Sequence, residues 1–414
     1  MEESLNDMQI LIGLVLVAVL SVAGGRARLV TLQRRFGLEH LLASNFPYLL
    51  LGLLLSDAGL GLLDWRVVRE LEALTTLGLG ILGLMVGLNA GANARPSDRH
   101  HFRAATIETS VTILLVAPAM FLALAFTGAT VWERASAAAL VGCAAALSGR
   151  GTLEAAARSR RRAMDSAVAK VADFGTVVAV LLAGVLLALF VPDDTMSGLE
   201  RLLLLAAVSC VGGLAAWLLS TSDDSPSLKT ALLLGTILVT AGTATHLGLP
   251  PVAATLLAGL LIARLPGPLA TDLRTSLAFL EGPLTVLVVL LAGAALRPPS
   301  ASTVAVVAVA LLLRTAGKIL GGQVASRRHP ELPSNIGLGL LPAGAIGVGL
   351  AFDFGAATEG QLGEIVVTAT VLVALLSETA GVWTGRLLSR TVGMETDPLQ
   401  TTPPPPTRAE EAPR

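Results

Sequence analysis

Four ionisable side chains interrupt long apolar runs in this chain. Asp173 lies in Ala169-Lys-Val-Ala-Asp-Phe-Gly-Thr176 and Lys318 in Arg314-Thr-Ala-Gly-Lys-Ile-Leu-Gly-Gly322. Arg150 and Glu154 stand at and beyond the glycines of Ala144-Ala-Ala-Leu-Ser-Gly-Arg-Gly-Thr152. A charged group at membrane depth is costly and is by default a candidate for carrying protons or ions. Asp173 reads either as such a titratable carboxylate or as the N-cap of a helix over 174–190. Lys318 could pair with a buried carboxylate, or it could snorkel to the headgroups from the end of its run. Arg150 and Glu154 are spaced i,i+4 and could pair, although Arg before Glu is the weaker order. Alternatively Arg150 faces Asp173 as a built-in cation, or both residues lie in a basic loop beyond the helix end.

These residues are placed by an unusually apolar sequence. The 414 residues are 53% hydrophobic and only 14% charged, with net charge −1, and mean hydropathy is +0.74. A membrane helix needs roughly 20 apolar residues, and about thirteen runs meet or approach that length. Their expected spans are 8–24, 40–62, 71–91, 102–127, 134–158, 164–190, 200–220, 229–247, 251–264, 275–296, 302–325, 336–354 and 362–388. The fold class expected is an all-α polytopic membrane protein. Cys143 and Cys210 lie in apolar runs with no ligand-like neighbours and read as small hydrophobes. No phosphate loop, zinc signature or nucleophile elbow occurs in a fitting context. That leaves no cofactor, no resident metal, no enzyme chemistry and no nucleic-acid partner to expect. The acidic N-terminus lacks the features of a cleaved leader. Residues 397–414, rich in proline and charge, read as a disordered tail.

Basic residues fall in alternate gaps. Arg26, Arg28, Arg34 and Arg35 follow the first run, Arg95, Arg99 and Arg103 the third, and Arg158, Arg160, Arg161 and Arg162 the fifth. Intervening gaps carry acidic or neutral pieces such as Val191-Pro-Asp-Asp-Thr195. The positive-inside rule then puts the N-terminus outside and the C-terminus in the cytoplasm of a cell (inner) membrane. Glu281 reads as the interfacial start of the tenth helix, Asp353 as an outer-end residue, and His100 and His101 as members of a solvated inner loop.

Two features recur seven runs apart. Pro47 with Gly52-Leu-Leu in the second run has a counterpart in Pro251 with Gly259-Leu-Leu in the ninth. The breaks also match: the fifth run is interrupted at Ser148 to Thr152, the twelfth at Leu340-Leu-Pro-Ala-Gly-Ala-Ile-Gly-Val-Gly349. An odd separation sends the two copies through the membrane in opposite senses, the inverted-repeat pattern of secondary transporters. Proline and glycine unwind helices, and unwound backbone at membrane depth survives only inside protein or beside a watery cavity.

On these residues the chain resembles the bacterial monovalent cation:proton antiporters of the sodium/hydrogen exchanger superfamily. Leu41–Leu63, with Pro47, Gly52 and Gly59-Leu-Gly61, looks like the family's first repeat segment. Leu247-Gly-Leu-Pro-Pro251 through Gly259-Leu-Leu261 looks like its second. Arg314 to Gly322 is similar to the basic helix, and Leu340 to Ala351 to the second broken helix. The resemblance implies about thirteen helices, with core helices in 102–190 and 302–388 and scaffold helices in 8–91 and 200–296 that dimerise. It implies a lipid-embedded exchanger of H+ for Na+ or K+ by alternating access. Asp173 would be the shared carrier and Lys318 its partner. Ser148, Arg150, Thr152, Glu154, Thr176, Pro342, Gly344 and Gly347 would line the site.

Some positions depart from the family pattern. Arg150 stands where relatives carry small or hydroxyl residues, and Ala343 and Ala345 where they often carry polar ones. Asp173 has Ala172 and Phe174 beside it where many relatives have a second polar group. One titratable carboxylate points to one-for-one exchange. A guanidinium in the cation's place would instead suit a non-transporting sensor or scaffold, and Arg150 with Lys318 would suit a proton-coupled carrier of anions or organic acids.

Overall fold

The computed structural model describes residues 13, 15–22, 46–56, 59–63, 65–93, 98–149, 162–190, 196–220, 226–296, 299–357 and 360–395. Among them, regular structure is helical, with one isolated bridge between Ser56 and Leu63. The helices are α1 (Phe46–Leu55), α2 (Trp65–Glu70), α3 (Glu72–Asn93), α4 (Arg99–Ala123), α5 (Val131–Ala146), α6 (Arg162–Phe190) and α7 (Gly198–Ser220). They continue with α8 (Pro226–His246), α9 (Pro251–Ile262), α10 (Leu269–Ala295), α11 (Ala301–Arg328), α12 (Ile336–Gly339), α13 (Ala345–Ala357) and α14 (Gln361–Glu395). Among the described residues, seven helices are long and apolar enough to cross a membrane, and residues of α8 and α9 form two shorter apolar helices. The chain is a multi-pass membrane protein.

Helix starts are fixed by the local sequence. Thr130 and Glu133 form a reciprocal capping box before α5, Ser197 and Glu200 exchange the same bonds before α7, and Ser300 accepts from the Thr303 N–H at α11. Each satisfies donors that a helix start otherwise leaves unpaired. Pro251 opens α9, where its missing N–H costs nothing.

The repeat suggested by Gly52 and Gly259 is built into the packing. Gly52 of α1 lies against the backbone of Leu290, Gly293 and Ala294 in α10, and Gly293 lies against Leu49 and Leu53 in return. Gly259 of α9 lies against Leu84, Gly87 and Leu88 in α3, and Gly87 lies against Leu256 and Leu260. α1 thus crosses α10 as α9 crosses α3, glycine on glycine. Between helices in lipid, close approach through small residues supplies the packing energy.

The two breaks also meet. α5 stops at Ala146, and Leu147 to Gly149 run without regular structure. The twelfth run divides into α12, a stretch Leu340–Gly344 and α13. The Gly149 N–H donates to the Pro342 carbonyl at 2.6 Å, and Ser148 Oγ donates to the Leu340 carbonyl at 3.0 Å. Gly149 also abuts Gly344, whose φ of +74° suits glycine. Prolonging the fifth helix to 158 is therefore wrong over the described part, because its last carbonyls are taken up by side chains of α11.

Two further expectations are corrected. α10 begins at Leu269, so Glu281 and Pro283 lie inside it and not at its start. His101 is buried in the first turn of α4, 3.5 Å from Asp98, not in a solvated loop. The tail 397–414 lies outside the described residues. Cys143 is buried, as expected, whereas Cys210 is exposed on α7.

Candidate functional site

Where the breaks cross, the described residues gather buried charge from four helices: Glu108 on α4, Asp173 on α6, Arg314 and Lys318 on α11, and Glu378 on α14. None is more than 6% exposed. α11 reaches this depth because Gly317 and Gly321 present bare backbone to Thr112 and Glu108 of α4. That small-residue face lets two backbones touch, and it lets the side chains between them meet across a short gap.

Lys318 is fully occupied. Its Nζ lies 3.0 Å from Glu108 Oε1, donates to Ser148 Oγ at 2.8 Å, and donates to the Ala146 carbonyl. An ammonium has three N–H groups, and all three have acceptors. Thr112 Oγ1 donates to the same Glu108 oxygen at 3.1 Å. The lysine expected to partner Asp173 thus forms its ion pair with Glu108, a residue the sequence reading passed over.

Arg314, one turn earlier, binds both breaks at once. Its guanidinium donates to the carbonyls of Ala145, Leu147 and Leu341 and to Ser377 Oγ. A planar fork with five donors can hold several carbonyls in fixed directions, which an ammonium cannot. On the other side, Glu378 accepts from the Gly344 N–H at 3.1 Å, at the start of α13. The C-terminal end of α5, negative by its dipole, faces two cations, and the N-terminal end of α13, positive by its dipole, faces a carboxylate.

Asp173 is buried inside α6, at 6% exposure, which removes the alternative that it begins a helix. Its position around α6 follows from helix geometry. Gly184, eleven residues on, shares its face to within about 20°, and Gly184 packs against Ala253 of α9. Gly175, two residues on, is about 200° away and faces α4: a methyl there would lie 3.2 Å from Thr109 Oγ1 and 3.9 Å from Glu108 Oε2. Asp173 and Glu108 therefore belong to opposite faces of α6. Thr176 joins the helix to the first break, its hydroxyl donating to the Ser148 carbonyl at 3.0 Å and to Ala172 at 2.8 Å.

Of the remaining expected lining residues, Ser148, Thr176, Pro342 and Gly344 meet at the crossing. Gly347 packs on Leu147. Arg150, Thr152 and Glu154 lie outside the described residues. Glu108, Arg314 and Glu378 were missed as members of the site. The available signal was an ionisable residue within a spanning run. No group of His, Cys, Asp or Glu that could hold a metal occurs among the described residues.

No protein-family model and no curated protein matches the chain. Solved structures do. A structure of the sodium proton antiporter MjNhaP1 from Methanocaldococcus jannaschii at pH 8 is similar over 92% of this chain and 99% of its own, with TM-score 0.62 and 15% identity. An electron-microscopy map of the same antiporter matches over 96% of this chain and 100% of its own, with TM-score 0.65 and 17% identity. Two crossing breaks and a glycine-mediated inverted repeat are thus assembled here in a fold similar to that of this sodium proton antiporter.

Proposed function

We propose that this chain exchanges protons for a monovalent cation, sodium or potassium, with Asp173 binding each in turn. The observation that carries the reading is a carboxylate 6% exposed within a helix long and apolar enough to span a membrane. Such a group is expensive to keep there and calls for a role in moving charge. The antiporter fold supports the same reading.

One carboxylate can hold a proton or a cation but not both. Each turnover then carries one proton one way and one cation the other, without net charge. Asp173 lies on the α6 face shared with Gly184, which meets α9. In this reading α4–α6 and α11–α14 form a core that moves against a scaffold of α1, α3 and α7–α10, opening Asp173 to either side. The scaffold pairs two copies of the chain in a cell membrane, with the N-terminus outside. Thr176, Ser148 and the unwound carbonyls supply further oxygens. Arg314 and Glu378 keep the broken helices in place.

The test is proton flux in proteoliposomes on addition of Na+, K+ or Li+, comparing the native chain with Asp173→Asn. Cation-driven flux that the variant loses is the expected result. A native chain that responds to none of the three ions refutes the antiport reading. A variant that responds like the native chain refutes the role of Asp173.

A further inference from the structure

We propose that Glu108 is a positioning residue of the exchange site: it holds the Lys318 ammonium on the α4 side of α6, away from Asp173. The inference rests on the reading of Asp173 as carrier and extends it to a residue on a different helix.

The two oxygens of Glu108 look in different directions. Oε1 takes Lys318 and Thr112, while Oε2 lies toward the bare backbone of Gly175. That glycine is on the side of α6 about 200° from Asp173. Lys318, bound to Glu108, Ser148 and Ala146, is therefore kept behind the helix that carries Asp173. It is not kept far. Ser148, which accepts one Lys318 hydrogen bond, gives its carbonyl to Thr176, and Thr176 is only about 60° around α6 from Asp173.

Removing the Glu108 charge leaves a buried ammonium with no counter-charge, which is strongly unfavourable. The flexible lysine stem then lets it turn toward another carboxylate. An ammonium paired with Asp173 would occupy the place of the transported cation. Among the described residues, the charged groups around Lys318 are Glu108 from α4 and Arg314 on α11 itself, with Glu378 of α14 beside Arg314. α12 has no charged residue, and the described charges of α5, Glu133 and Arg134, are at its opposite end. Glu108 is thus the acidic group that decides where the Lys318 ammonium rests, and through it the affinity of Asp173 for a cation.

Two measurements on the full chain test this. In proteoliposomes, Glu108→Gln should raise the apparent KM for the cation about tenfold or more, with a smaller effect on maximal rate. Glu108→Asp should restore much of the affinity, and Glu108→Gln with Lys318→Met should bring KM back toward native. An unchanged KM in Glu108→Gln, or a double variant as impaired as the single, overturns the proposal.

The second measurement does not require transport. The chain contains three lysines, Lys170, Lys229 and Lys318, so side-chain 15N-lysine spectra of the purified protein contain few signals, assignable by Lys318→Arg. Glu108→Gln should shift the Lys318 signal, Asp173→Asn alone should not, and in the Glu108→Gln background Asp173→Asn should shift it again. A native chain without cation-driven flux removes the antiport reading, and these spectra still decide what holds Lys318. A signal that follows Asp173→Asn and ignores Glu108→Gln overturns the proposal.

Discussion

Glu108 Oε1 and Lys318 Nζ are 3.0 Å apart with both side chains almost wholly enclosed, at 2% and 0% exposure. They come from helices far apart in the sequence, and the contact depends on Gly317 and Gly321 facing α4. Removing one member of such a pair leaves a bare buried charge, at about 3–5 kcal/mol. Glu108→Ala and Lys318→Ala should each lower thermal stability in detergent by that order, and a double Met replacement should recover most of it. Single variants as stable as the native protein would show that the pair is not closed in solution.

Arg314 should be less replaceable than its charge suggests. Its contacts with Ala145, Leu147, Leu341 and Ser377 require the directional fork of a guanidinium. Arg314→Lys is expected to keep the charge but loosen both breaks, seen as faster proteolysis near Leu147 and Leu341. Arg314→Ala should lose several kcal/mol, about 1–3 for each carbonyl left without a partner. Native-like proteolysis of the lysine variant would reject this account.

The repeated glycine crossings predict a paired result. Alanine at Gly52, Gly293, Gly87 or Gly259 would push a methyl into facing backbone, and overpacking of this kind costs about 1–3 kcal/mol or more. Alanine at Gly235 or Gly242 meets nothing within 4 Å and should be neutral or stabilising by up to about 1 kcal/mol, through helix propensity. Melting temperatures of the six variants provide the check. Equal effects in both groups would remove the crossings as a cause.

Asp98 gives stability a pH dependence at the start of α4. A hydrogen bond from Lys170, at 2.8 Å, holds its carboxyl below the ordinary value of 3.8, with partial desolvation opposing. For a depressed carboxylate the contribution is fully present above the unfolded value and is lost as pH falls through the lower folded value. Asp98→Asn should therefore lower the melting temperature at pH 7, and the difference from native should narrow below about pH 4. A difference that stays constant with pH would mean that the charge is not involved.

Much of this architecture could be read from residue types. Runs of apolar residues marked the spans, because lipid admits backbone only when its polar groups bond internally. Proline and glycine at Leu340–Gly349 and the glycines beyond Ser148 marked the breaks, because both residues weaken helices wherever they stand. The Gly52 and Gly259 segments announced the repeat, because close helix crossings admit almost no other residue. These are local properties, fixed by a side chain and its sequence neighbours.

Partnerships were not local. Lys318 was expected to meet Asp173, and only the fold turned it to Glu108, because register and rotation about α4, α6 and α11 choose among carboxylates of equal chemistry. Glu108 carries no mark in the sequence that sets it apart within the fourth run, and tertiary packing buried it. Arg314 and Glu378 likewise carry no sign of the carbonyls and amide they bind until the two broken helices cross. The sequence alone determined that charge had to lie within the membrane. Three-dimensional packing decided which charges face one another, since Coulomb attraction and hydrogen bonding act over a few ångströms of space, whatever the distance along the chain.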